Sequence, residues 1–319
     1  MIVAVLKCLA FGLRWMPRSV SRGFGAFLGW LYGSVLRIRS TEILATLRRC
    51  FPDKTDAELR RIRRGMYANM AHGVVDLLRL SFISDEEMRA QCIWLDRHHL
   101  DEAFKRGKGV VVITAHVGSW ETIAAIGPLE GYPETIVVKT VRPPAFDGYL
   151  SKLRGRFGTT VLPRKGSFRP CLRALKNKNL LGFMIDQNMR PGHGVFVDFF
   201  GRPASTSPGA AMLALQAGSP IVPVFAVRQP NGDHHIHCLP EIEAPRSRVP
   251  EELVRCTQDA TRALESIIRQ YPEQWIWMHR RWRTTPEEVA AFEAGRAAGT
   301  LDAQGREVRP AAAEVIIHQ

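Results

Sequence analysis

His116 and Glu121, five positions apart in Thr114-Ala115-His116-Val117-Gly118-Ser119-Trp120-Glu121, are the side chains of this sequence best suited to moving a proton. An imidazole tied through one ring nitrogen to a carboxylate is fixed in tautomer, and its other nitrogen is left to take a proton from an alcohol. On one continuous helix, positions five apart diverge by about 140°. The pair can therefore meet only if His116 precedes the helix, and Gly118 gives the chain freedom to bend there. So arranged, His116 is a general base, Glu121 accepts its N–H, and the activated oxygen can attack a carbonyl directly, without a protein nucleophile. The resulting oxyanion needs N–H or cationic donors nearby. A lone histidine beside an apolar strand is more often structural, so the reading depends on its context.

Further candidates surround this motif. Asp186 follows Leu-Leu-Gly-Phe-Met-Ile and, like His116, is expected at the end of a buried strand. There it could orient His116, bind acceptor hydroxyls, or cap a loop through backbone N–H groups. Ser119 and Asn188 are candidates for supporting roles beside it. Lys139, Arg142, Arg154, Arg156, Arg164 and Lys165 could surround the phosphates of a headgroup, with Arg142 and Arg164 the first choices. Phe196, Phe199 and Phe200 could line an acyl channel, dip toward a bilayer, or simply pack in the core. Trp275, Trp277, His279, Arg280, Arg281 and Trp282 form an aromatic and basic stripe of the kind that binds nucleic acid by stacking. Strand alternation puts only His235 and His237 on one face without an acidic ligand, so no metal is expected, and no cofactor either. There is no GxxxxGK loop and no GxSxG elbow, which removes the commonest nucleotide and serine-hydrolase readings.

The elements that must position these groups are legible in part. Capping boxes at Thr55–Glu58 and Ser84–Glu87 open helices in a helical lead-in over 40–106. From residue 108, Val- and Ile-rich runs at 109–115, 135–139, 159–162, 180–185 and 220–227 alternate with helical segments. Such runs mark strands buried on both faces of an α/β layer architecture. A further strand is expected at 234–239, and a helix over 250–271 with Leu253, Cys256, Ala260, Leu264, Ile267 and Tyr271 inward. Three stretches result: an anchor over 1–38, a catalytic domain over 39–286, and a solvated helix fading into a tail over 287–319.

Composition narrows the partners. With 45% hydrophobic residues the 319-residue chain can build a real core, and 44 Lys and Arg against 31 Asp and Glu give a net charge of +13 that favours anionic partners. Six cysteines without regular spacing argue against a disulfide framework and fit a chain facing a reducing compartment. The apolar N-terminal runs are interrupted by Lys7 and Arg14 and fall short of the ~18 residues of a confident membrane span. Two helices lying at a lipid boundary are expected, with Arg14, Arg18, Arg22 and Arg37 snorkelling and Trp15, Trp30 and Tyr32 at headgroup level; a core helical hairpin of a soluble protein and a single tilted span are the alternatives. No removable signal peptide is expected.

Taken together, HVGSWE after a buried strand, RKGS at 164–167, DQN at 186–188, FVDFFGRPASTSPGAAMLALQAGSPIVPVF at 196–225 and PEQWIWMHRRWRTTP at 272–286 resemble the late acyltransferases of lipid A biosynthesis, the lauroyl and myristoyl transferases. The resemblance implies a glycerolipid-acyltransferase-like mixed sheet flanked by helices, a place on the cytoplasmic face of the inner membrane, and acyl transfer from acyl carrier protein to a hydroxyl of a lipid A precursor. It maps the family's His-x4-acid pattern onto His116 and Glu121, and gives the aromatic stripe a structural role, with no nucleic-acid partner. Asn188 stands where many such enzymes carry a second acid, which leaves the acceptor open. Acylation of a phosphatidylinositol mannoside or a lysophospholipid is the alternative within enzymes, and a basic membrane-binding protein the alternative outside them.

Overall fold

The computed structural model describes residues 2–298 together with 300 and 302. Its centre is a seven-stranded mixed sheet in the order β1-β9-β8-β2-β5-β3-β4. The strands are β1 (Cys92–Leu95), β2 (Val110–Thr114), β3 (Glu134–Val138), β4 (Thr160–Pro163), β5 (Leu180–Met184), β8 (Ile221–Arg228) and β9 (His234–Cys238). Strands β8, β2, β5, β3 and β4 run parallel, while β9 is antiparallel to β8 and carries β1 parallel to itself. Every residue of β2 is buried, as expected of a central parallel strand covered by helices on both faces. A separate hairpin pairs β6 (Val195–Asp198) with β7 (Pro203–Thr206).

All six strands expected from the sequence are present, and three were not anticipated. β1 lies inside the expected helical lead-in, and β6 and β7 lie between the strands expected at 180–185 and 220–227. The capping boxes of α4 (Asp56–Arg79) and α5 (Asp85–Ala90) are both formed, and a third caps α12 (Pro286–Ala297). α11 (Pro250–Gln270) buries Cys256, Ala260, Leu264 and Ile267, leaving Leu253 and Tyr271 partly covered. The remaining helices are α1 (Ile2–Arg14), α2 (Arg18–Trp30), α3 (Ser40–Cys50), α6 (His98–Lys105), α7 (Trp120–Leu129), α8 (Pro144–Arg154), α9 (Phe168–Lys176) and α10 (Gly209–Ala217). Most of the tail expected after α12 lies outside the described residues.

Of the three readings of the phenylalanines, core packing holds for two of them, and one expectation at the N-terminus is corrected. Phe199 and Phe200 are buried core residues, stacked among Phe51, Trp275, Trp277 and Trp282, and do not face a channel or a bilayer. At the N-terminus, Arg18 pairs with Asp233 at 3.0 Å and Arg22 donates to the carbonyls of Pro230 and Asn231. Both arginines therefore tie α2 to the β8–β9 turn. Among the described residues no helix is long and apolar enough to cross a membrane. α1 nevertheless leaves most of its apolar surface uncovered, with Phe11 67% and neighbouring Trp15 73% exposed.

Candidate active site

The sheet brings His116 and Asp186 together by register. β2 and β5 are parallel neighbours with Thr114 opposite Met184, and each candidate lies two residues beyond its strand. Ligand sites of open α/β sheets form at such adjacent carboxyl ends. His116 Nδ1 is 3.0 Å from Asp186 Oδ1, and the His116 backbone N–H donates to Oδ2 at 3.0 Å. Trp275 Nε1–H also donates to Oδ2, at 3.0 Å. The carboxylate thus has three donors in a place where an unpaired charge would be costly.

The electrostatics follow from these contacts. Burial on its own would raise the Asp186 pKa, but the His116 and Trp275 contacts overcome it and hold the carboxyl at about 2. Burial likewise pushes His116 down; Asp186, with Glu121 behind it, more than offsets this, so the imidazole pKa is raised above its ordinary 6.5. An ionised Asp186 accepts the Nδ1–H and leaves Nε2 as the basic nitrogen.

Glu121 does not meet His116. As anticipated, His116 precedes the helix and Gly118 makes the bend, at φ +58°, but the first turn of α7 aims Glu121 elsewhere. Its carboxylate receives two parallel hydrogen bonds from Arg154 of α8, Nε to Oε2 at 2.8 Å and Nη2 to Oε1 at 2.7 Å. This forked geometry is the strong form of an arginine–carboxylate pair. Burial works against the Arg154 charge, yet the Glu121 hydrogen bonds raise its pKa overall.

His116, Trp120, Glu121, Arg154 and Arg164 all line one cavity of about 340 Å³. Its deeper walls are apolar, with Val112, Ile123, Ala124 and Ile136 among them. The Trp120 ring lies edge-on to the imidazole at 5.2 Å between centroids.

Of the other sequence candidates Lys139 also lines this cavity, whereas the following do not. Ser119 is buried and donates to Asp76 Oδ2 at 2.8 Å, in a network that also holds Arg228. Asn188 donates its backbone N–H to His279 Nε2 and exchanges hydrogen bonds with Thr284, which fixes the 279–284 segment. Arg142 is exposed and does not line the cavity. His235 and His237 lie 6.4 Å apart between ring centroids, and among the described residues no cluster could hold a metal ion. Most of the aromatic stripe is interior, with Trp275, Trp277 and Arg281 buried, His279 and Trp282 partly so, and Arg280 exposed. Arg154 is one of six basic candidates in the sequence and ranks behind Arg142 and Arg164 there, because its forked bond to Glu121 depends on how α7 and α8 pack. Trp275 gave no sign in the sequence that it would donate to Asp186.

The site is thus a histidine held by a buried carboxylate and opening on a pocket with apolar walls and arginines beside it, and the comparisons identify the chain as an acyltransferase. It belongs to the bacterial lipid A biosynthesis acyltransferase family, whose model matches residues 2–284. The chain is 24% identical over 294 residues to the lipid A biosynthesis lauroyltransferase of Escherichia coli, covering 89% of this chain and 93% of that one. A lipid A biosynthesis acyltransferase of Haemophilus influenzae is 23% identical over 258 residues, 81% of this chain and 80% of the relative. A phosphatidylinositol mannoside acyltransferase of Mycolicibacterium smegmatis is 26% identical over 231 residues, 69% of this chain and 71% of the relative.

Proposed function

We propose that this enzyme moves a fatty acyl chain from the thioester of acyl carrier protein to a hydroxyl of a lipid A precursor or a similar anionic glycolipid. The observation that carries the reading is the His116–Asp186 pair opening on an apolar cavity. In this reading His116 Nε2 takes the proton of the acceptor hydroxyl while the oxygen attacks the thioester carbonyl. Arg154, held in place by Glu121 in the same cavity, stabilises the tetrahedral oxyanion. Collapse of that intermediate breaks the carbon–sulfur bond, and the imidazolium returns its proton to the departing thiolate. Glu121 then acts through Arg154 and not as the partner of the imidazole.

The donor fits the cavity's apolar walls, and the anionic acceptor fits the net charge of +13. We place the enzyme on the cytoplasmic face of the inner membrane, with α1 and the neighbouring aromatic residues lying in the headgroup region. A 13-residue helix spans about 20 Å, less than the ~30 Å hydrocarbon core, so α1 lies on the bilayer in this reading. The mannoside acyltransferase relative makes a mannosylated phosphatidylinositol the second acceptor to test.

The test is acyl transfer by the purified, detergent-solubilised protein from acyl carrier protein thioesters, with His116→Ala as control. Acceptors are a lipid A precursor, a phosphatidylinositol mannoside and a lysophospholipid. Transfer to the first that is lost in the variant supports the proposal. Transfer only to another acceptor moves the pathway, and no transfer by folded protein overturns the catalytic reading in favour of a membrane-binding protein.

A further inference from the structure

The cavity that begins at His116 ends at a carboxyl group that the reaction does not use. Glu134, the first residue of β3, is in register with Leu180 of β5, which pairs with Val110 of β2. His116 lies six residues beyond Val110. At about 3.3 Å per residue, the base and Glu134 are therefore separated by about 20 Å along the strands, the scale of an extended fatty acyl chain. Val112, Gly182 and Ile136 form one register row between them, and the three residues line the same cavity as Glu134. Helix α7 covers that row with Ile123 and Ala124.

Two glycines make the space that the carboxyl fills. A Cβ on Gly127 of α7 would lie 2.4 Å from Glu134 Oε2. One on Gly182 would lie 3.1 Å from Ile136 Cγ2 and 3.6 Å from Glu134 Oε1. Glu134 is 3% exposed, and its Oε2 has no hydrogen-bond partner among the described residues. Burial alone pushes its pKa up to about 8. At neutral pH the group is therefore an uncharged acid, tolerable in an apolar cavity where a carboxylate would not be. An unpaired buried carboxyl contributes nothing to folding, whereas its position closes the deep end of the cavity.

We propose that Glu134 is the end wall of the acyl channel and sets the longest fatty acyl chain the enzyme accepts. The inference rests on the acyl-transfer reading above. A chain longer than the distance from His116 to Glu134 must displace the carboxyl or leave its thioester short of the base. Shortening residue 134 lengthens the channel, and a methyl group on Gly182 narrows it upstream of the wall.

The experiment compares wild type with Glu134→Gln, Glu134→Asp, Glu134→Ala and Gly182→Ala in two assays on the full-length protein. One is transfer from thioesters carrying saturated chains of increasing length. The other is displacement of a bound fluorescent fatty acid by free fatty acids of the same lengths, which needs no turnover. The amide variant keeps the wild-type length profile, because its side chain is the same size. The aspartate and alanine variants shift preference to longer chains, alanine further, by about tenfold or more between neighbouring lengths, and Gly182→Ala shifts it to shorter ones. An unchanged length profile in both Glu134→Asp and Glu134→Ala overturns the wall while leaving acyl transfer standing. Absence of transfer from every donor, with fatty-acid binding still governed by residue 134, overturns the acyl-transfer reading and upholds the wall.

Discussion

An imidazole acts as a base only while it is neutral, and Asp186 sets where that happens. Because the His116 pKa is raised above 6.5, transfer should increase with pH through a limb lying above that value. Asp186→Asn removes the charge that raises it, so the limb moves to lower pH while the rate falls by about 10²–10⁴-fold through loss of tautomer control; a pH–rate profile checks both. The pair also marks stability. Asp186, held at about 2, contributes stability that is fully present above 3.8 and is lost as pH falls toward 2. His116, with its pKa raised, contributes stability that is full below 6.5 and lost as pH rises through its folded value. Denaturant midpoints of wild type and Asp186→Asn should therefore differ most between about pH 4 and 6.5. Arg154→Ala leaves Glu121 buried without its partner and should cost about 3–5 kcal/mol of stability as well as activity. The double variant Arg154→Met, Glu121→Leu should recover most of the stability in chemical denaturation and none of the transfer, which separates the folding role of the pair from its chemistry.

The loop between β2 and α7 is the element on which the site depends. The 274–276 segment and β8 clamp it: Gly118 N–H donates to Gln274 O at 3.0 Å, Ile276 N–H to His116 O at 3.3 Å, and Ser119 N–H to Ala226 O at 2.9 Å. Asn69 adds a bond from α4 to Gly118 O at 3.3 Å. Gly118 is required twice over, by its φ of +58° and by the Ala226 carbonyl, which would lie 2.0 Å from a Cβ. Gly118→Ala should therefore destabilise by at least about 1–3 kcal/mol and depress transfer with it, read as a lowered denaturant midpoint and a reduced kcat. The glycine's need for a bend was legible in the spacing of His116 and Glu121. The carbonyl packed against it was not, because β8 is more than a hundred residues away in the chain. Helix α7 also explains why the sequence assigned the imidazole's partner wrongly. A first-turn residue can be placed near the preceding loop by counting, but the direction of its side chain depends on α8, whose Arg154 draws Glu121 away.

At the scale of the whole molecule, the lipid contact proposed above falls on α1. The N-terminal helices pack on α4 and are pinned to the β8–β9 turn through Arg18 and Arg22, yet α1 keeps a wide uncovered apolar surface. Replacing Phe11 and Trp15 together by Ser should leave the fold intact and weaken co-flotation with anionic vesicles by more than tenfold, at about 1.5–3 kcal/mol for each buried aromatic side chain. Unchanged flotation would remove α1 from the membrane contact. The sequence by itself determined the five parallel strands of the sheet, because continuous Val and Ile runs have few fates other than the middle of a covered sheet, while the short β1, β6 and β7 carried no such run. It also determined the long amphipathic helix α11 and the capped helix starts, since these signals are local. Only the tertiary structure decided which carboxylate serves His116: Asp186 is seventy residues away and becomes its neighbour through the β2–β5 register. The same holds for the Glu121–Arg154 fork, the Trp275 donor and the carboxyl at the end of the cavity. Each is a contact between elements distant in sequence, and such contacts depend on sheet order and helix packing, which no local pattern of residues records.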